Sequence, residues 1–132
     1  MLAYEHMETT NKKVLIVEDE EDIREAIAEA IASAGYEVQT AENGEIGLKK
    51  AFEWKPDLIL LDLVMPMVDG HETLRQLRED DWGKDAKVIV LTAMDRPFNV
   101  AMAHMSDVND YIIKAHSTLD EVVKKVKITL NS

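Results

Sequence analysis

The sequence predicts an α/β domain: five parallel strands alternating with five helices that cover both faces of one sheet. Three observations predict it. Short apolar runs recur along the chain, at 13–18, 57–62 and 87–93 among others, each of strand length and fit to be buried on both faces. Between the runs lie stretches with apolar residues at helical spacing. Breaker residues, at Gly35, Asn43–Gly44, Pro56 and Pro97, punctuate the alternation. Such units demand right-handed crossovers between parallel strands.

The elements follow in order. "KVLIVE" (13–18) reads as a buried first strand. Over 20–34, Ile23, Ile27, Ala30, Ile31 and Ala34 make one helical face, and Gly35 stops the helix. "YEVQTA" (36–41) alternates as an edge strand does. Asn43–Gly44 opens a second helix through Trp54, closed by Pro56. "DLILLD" (57–62) is the central strand, and 70–80 the next helix, with Leu74 and Leu77 inward. "KVIVLTA" (87–93) is a fourth strand. Residues 97–105 carry Phe98, Ala101, Met102 and Met105 at helical spacing, with Pro97 in the first turn. "VNDYIIK" (108–114) is the fifth strand. A Thr118-x-x-Glu121 capping box opens the last helix, which turns Val122, Val123, Val126 and Leu130 to one side. Residues 1–12 are expected to be a loose arm, with His6–Met7 a cloning remnant and the natural start at Met7; residues 13–132 form the domain.

Composition removes several classes of function. Hydrophobic residues at 46% and charged residues at 31% are globular values, and 132 residues suffice for one domain with a proper core. Fifteen basic against 26 acidic residues leave a net charge of −11, which argues against this domain gripping nucleic acid or an anionic membrane. There is no cysteine, so disulfides, thiolate metal sites and cysteine nucleophiles are excluded, in keeping with a cytoplasmic location. No run reaches the ~18 apolar residues of a membrane span, and no signal peptide is visible. His6, His71, His104 and His116 lack metal-ligand spacing and read as surface histidines. Met94, Phe98, Met102 and Met105 fit a partner-binding face, but helix packing explains them as well.

In a sheet of this kind ligands bind at the carboxyl ends of the strands. The first strand ends in Glu18, Asp19, Glu20, Glu21 and Asp22, the third at Asp62, the fourth at Thr92 and the fifth at Lys114. Singly each has a plain reading: Asp19 or Glu20 as a helix cap, Thr92 as a strand former, Lys114 as a surface cation. Together, Glu18, Asp19 and Asp62 would repel one another without a cation, and their oxygens suit Mg2+. Lys114 adds a second positive charge. A metal, an ammonium and a reactive carboxylate are the equipment of phosphoryl transfer, with the carboxylate as covalent acceptor. The five consecutive acids after the first strand would repel a resident phosphate, and no glycine-rich phosphate loop occurs, so a flavin or nucleotide carrier is disfavoured.

With these residues in place, the chain resembles a receiver domain of two-component response regulators over about residues 13–131. The resemblance rests on Glu18–Asp19, on "DLVMPMVDG" from Asp62 to Gly70, on "LTA" at Thr92 and on Tyr111-x-x-Lys114. Thr92 follows Asp62 by 30 positions and Lys114 by 52, separations common in compact members. It implies a flavodoxin-like strand order, 2-1-3-4-5, and a phosphoacceptor that assists its own phosphorylation and dephosphorylation and is not otherwise an enzyme. Asp62 would take a phosphoryl group from a histidine kinase or histidine phosphotransfer protein. Glu18, Asp19, Asp62 and the backbone carbonyl of Val64 would hold Mg2+. Thr92 and Lys114 would bind the phosphoryl oxygens, and Tyr111 would be the aromatic switch that turns inward as Thr92 moves. A downstream protein would read the face built from the 97–105 helix, the fifth strand and the last helix, with the domain a monomer or a phosphorylation-dependent dimer.

Three positions depart from the family pattern. Ala115 follows Lys114 where a proline joined through a cis peptide is usual; a cis bond there would cost about 3 kcal/mol, so the loop is trans or strained. Asp107 and Val108 replace a small Gly-Ala pair before Tyr111, which predicts a hindered aromatic, and "MDRPFN" (94–99) is atypical. The alternative functions are a degenerate receiver serving as a phosphorylation-independent binding module, and an aspartate-nucleophile phosphatase. The second is disfavoured because it wants an acid where Val64 stands.

Overall fold

A computed structural model describes residues 12–63, 70–92 and 108–131. The described chain runs β1 (Lys13–Val17), α1 (Glu21–Ser33), β2 (Glu37–Ala41), α2 (Gly44–Trp54), β3 (Leu58–Asp62), α3 (Gly70–Glu79), a 3-10 turn (Gly83–Asp85), β4 (Val88–Thr92), β5 (Asp110–Ile113), a second 3-10 turn (Lys114–His116) and α4 (Leu119–Leu130). The expected 97–105 helix, with Met94, Phe98, Met102 and Met105, lies outside the described residues, as do Val64, Asp107, His6, His104 and nearly all of the N-terminal arm.

The strands form one parallel sheet in the order β2-β1-β3-β4-β5. This is the predicted flavodoxin-like order, with β2 at an edge as its alternating pattern required. Side chains of a strand alternate between faces, so each strand feeds two cores. Val14, Ile16, Leu58, Leu60, Ile89, Leu91 and Ile112 pack against Ile27 and Ile31 of α1 and Val122, Val126 and Leu130 of α4. Leu15, Val17, Ile59, Leu61, Val88 and Val90 pack against Leu48 and Ala51 of α2 and Leu74 and Leu77 of α3. β3 and β4 are buried at every residue, which is why their sequences read as unbroken apolar runs.

Local chemistry sets the element ends. Asn43 caps α2, its side-chain oxygen accepting from the Ile46 N–H at 2.9 Å. Gly35 takes the left-handed conformation after α1, with φ 103. Both halves of the Thr118–Glu121 capping box are made. Most boundaries shift by a residue or two from expectation, and three of the shifts bear on packing or on the site. Tyr36 precedes β2 and is buried in the α1–α4 core. Asp57 stands before β3, where its carboxylate accepts from the Lys13 backbone N–H at 2.7 Å. β5 stops at Ile113, so Lys114 opens a tight turn instead of closing a strand.

Candidate functional site

Strand register builds the site. Val17 pairs with Leu61, which sets Glu18 level with Asp62 at the carboxyl edge. Asp62 pairs with Leu91 and Thr92 with Ile113, which bring Thr92 and Lys114 to the same edge. Parity then sorts the side chains. Glu18, Asp62 and Lys114 continue the rows of Ile16, Leu60 and Ile112, whereas Thr92 and Tyr111 belong to the row of Val90 on the other face.

Glu18 is fully buried and Asp62 is 1% exposed, both unusual for carboxylates, while Asp19 is half-buried. One oxygen from each of the three lies within 4.8 Å of the others. The Lys114 ammonium lies 2.9 Å from Glu18 Oε1, 3.3 Å from Asp62 Oδ2 and 3.7 Å from Glu20 Oε1. Burial works to lower the Lys114 pKa, but the hydrogen bond to Glu18, the charges of Asp62 and Glu18 and the bond to Asp62 outweigh it and hold the group above the ordinary lysine value. The second Glu18 oxygen accepts from the Glu20 N–H at 3.1 Å. No cis peptide occurs among the described residues, and Lys114 reaches Asp62 across the trans bond to Ala115.

Neighbouring groups fix the loops. Arg24 donates to the carbonyls of Glu18 and Asp19 at 2.9 and 3.3 Å, tying α1 to the acidic loop. Glu20 makes no side-chain cap bond at the start of α1, so capping does not explain it. Gly70 begins α3 against the backbone at the end of β3: a Cβ there would collide with the Asp62 carbonyl oxygen and the Leu63 Cα. Its N–H donates to Leu63 O at 3.1 Å.

The structure thus brings together Glu18, Asp19, Asp62, Thr92 and Lys114 at one edge. Thr92 is 1% exposed at the end of β4, and Tyr111 is half-buried against the α2–α3 core beside Val108. Val64 lies outside the described residues. The sequence did not disclose that Lys114 pairs more closely with Glu18 than with Asp62, nor that Arg24 and Gly70 support the loops; only the glycine's place at the end of the "DLVMPMVDG" stretch hinted at its part. Glu18, Asp19 and Asp62 bring three carboxylate oxygens close together, and an all-oxygen donor set beside a buried wall fits a hard divalent cation such as Mg2+.

The sequence profile of the response regulator receiver domain matches residues 14–127. The chain belongs to that family. As a receiver domain it is a signalling module, and its curated relatives are regulators. It is 40% identical over 120 residues to the alkaline phosphatase synthesis transcriptional regulatory protein PhoP of Bacillus subtilis, covering 91% of this chain and 49% of that protein. It is likewise 40% identical over 119 residues to the phosphate regulon transcriptional regulatory protein PhoB of Pseudomonas aeruginosa, covering 90% and 52%. The receiver chain therefore spans about half the length of the curated relatives it matches. Among solved structures, the Vibrio cholerae chemotaxis protein CheY4 superposes with a TM-score of 0.84 at 27% identity, over 91% of this chain and 99% of that one. A putative response regulator from Chloroflexus aurantiacus gives 0.86 at 28%, over 93% and 100%. Among the described residues, no helix is long and apolar enough to cross a membrane.

Proposed function

We propose that this receiver domain, over residues 13–132 and preceded by an arm at 1–12, is a phosphorylation-dependent switch whose acceptor is Asp62. The observation that carries the reading is the buried edge where Asp62 sits beside Glu18 and Asp19 and within reach of the Lys114 ammonium. An Asp62 oxygen attacks the phosphorus of a phosphohistidine on a histidine kinase or phosphotransfer protein. The P–N bond breaks, its electron pair stays on the imidazole, and an acyl phosphate remains on Asp62. Lys114 and Thr92 hold the transferred oxygens. Glu18, Asp19, Asp62 and the Val64 carbonyl are the proposed Mg2+ ligands, and the ion would supply charge neutralisation at the phosphoryl oxygens. Tyr111 is the proposed aromatic that answers Thr92. The proposed output surface is the face built from the expected 97–105 helix, β5 and α4, read by a downstream protein in the cytoplasm, with the domain a monomer or a phosphorylation-dependent dimer.

That Lys114 reaches Asp62 despite Ala115 favours this reading over a degenerate, phosphorylation-independent binding module. Incubation with Mg2+ and a small acyl phosphate, followed by intact mass, tests it. The expected result is one added phosphoryl group, absent in Asp62→Asn and absent in excess chelator. Undiminished labelling in chelator would remove the metal from the reading; undiminished labelling of Asp62→Asn would remove the acceptor.

A further inference from the structure

Tyr111 is gripped from several sides by one side chain of the C-terminal helix. Lys125, on α4, reaches round β5, the free edge of the sheet as described. Its ammonium donates to the Tyr111 carbonyl at 2.9 Å and to Asp110 Oδ1 at 3.1 Å. It also stands 5.6 Å from the centre of the Tyr111 ring. Asp110 Oδ1 in turn accepts the Tyr111 backbone N–H at 2.8 Å, which closes the clasp. The Lys125 and Asp110 side chains are 38% and 36% exposed, so solvent screens the charge pair and its Coulomb attraction alone is weak. What distinguishes the arrangement is its geometry. A simple surface ion pair needs neither the carbonyl nor the ring, yet here all the contacts converge on the placement of Tyr111.

That placement bears on the switch. Tyr111 pairs with Val90 across β4–β5, and Thr92 lies two residues further along the same face, so the two side chains are diagonal neighbours. Any movement of the ring away from its present position loses the cation–π contact to Lys125. We propose that Lys125, anchored by Asp110, is a positioning residue that holds Tyr111 in the conformation seen here and thereby sets how readily phosphorylation moves it. This inference rests on the reading of Tyr111 as the responding aromatic. A ligand shifts a two-state equilibrium only by its differential affinity, and its apparent affinity falls with the fraction of competent molecules. Loosening the clasp therefore raises that fraction.

The test is a beryllofluoride titration of the 132-residue chain in Mg2+, read by NMR of labelled tyrosine rings and assigned with Tyr111→Phe. Lys125→Met keeps the aliphatic stem and removes the charge. It is expected to reach half-saturation at roughly three- to tenfold lower beryllofluoride, with its resting Tyr111 signal displaced toward the bound position. Lys125→Arg keeps a cation and is expected to stay within twofold of wild type. Asp110→Asn is expected to move the midpoint the same way by a smaller factor, and serves if Lys125→Met does not fold. In a Tyr111→Ala background, Lys125→Met is expected to leave unchanged the midpoint read from the Asp62 amide. A midpoint unchanged or raised in Lys125→Met overturns the clasp, as does a shift that survives Tyr111→Ala. If the wild-type Tyr111 signal ignores beryllofluoride altogether, the reading of Tyr111 itself fails, and the two failures are distinct.

Discussion

Lys114 sits against Glu18, Asp62 and Glu20, and with Asp19 beside them its one charge cannot balance the edge. Glu18 is the most deeply buried of the group and has the shortest contact with the ammonium. Like charges held close together at a buried edge raise the energy of the folded state. Asp62→Asn is therefore expected to stabilise the metal-free domain by about 1 kcal/mol in denaturant titrations run in chelator, because it removes like-charge repulsion and leaves Lys114 with Glu18. Mg2+ should then stabilise the wild type more than the variant. A metal-free Asp62→Asn that is less stable than wild type would contradict this balance. These residue types were legible in the sequence, since each lies at or just past the carboxyl end of a strand. Their pairing was not: Glu18 and Lys114 are 96 positions apart, and a single sequence carries no record of which of three acids a lysine will prefer.

At the scale of elements, the capping box of α4 shows where pattern and physics coincide. The Glu121 N–H donates to the Thr118 hydroxyl at 3.1 Å, and the Thr118 N–H donates to the Glu121 carboxylate at 2.9 Å. Loss of the cap in Thr118→Ala is expected to destabilise the domain by about 1 kcal/mol. The backbone bond from Thr118 first, then the contact with its side chain, lowers the Glu121 pKa from its ordinary 4.5. A lowered folded pKa means that the contribution is fully present above pH 4.5 and is lost as pH falls through the lowered value. The difference in thermal midpoint between wild type and Glu121→Gln should accordingly be present at pH 7 and close in acid; a pH-independent difference would count against it. Element interiors were legible because burial repeats with period 2 or 3.6. Ends were less so, because hydrogen bonds set them: Asp57 serves the Lys13 N–H instead of joining β3, and Lys55, not a glycine, takes the left-handed cap of α2 at φ 52. The clasp of Lys125 on Tyr111 left no trace in periodicity at all.

Across the whole molecule, one fact organises the rest: the parallel register delivers the ends of β1, β3, β4 and β5 to a single edge. The order β2-β1-β3-β4-β5 puts β3 at the centre, so the proposed acceptor Asp62 stands on a fully buried strand, flanked by the acids that follow β1 and the hydroxyl of β4. Two cores, one on each face, hold that register fixed, with Leu60 and Leu61 of β3 at 0% exposure facing opposite sides. The buried centre positions Asp62, and Tyr111 and Lys125 meet at the edge strand β5. The most direct test of this account is chemical trapping of the acceptor. After phosphorylation by a small acyl phosphate in Mg2+, borohydride converts an aspartyl phosphate to homoserine, and peptide mass spectrometry locates it. The predicted result is homoserine at position 62 alone, lost when chelator replaces Mg2+. Homoserine at Asp19, or a reduction-resistant phosphate on Thr92 or His71, would contradict the assignment of Asp62.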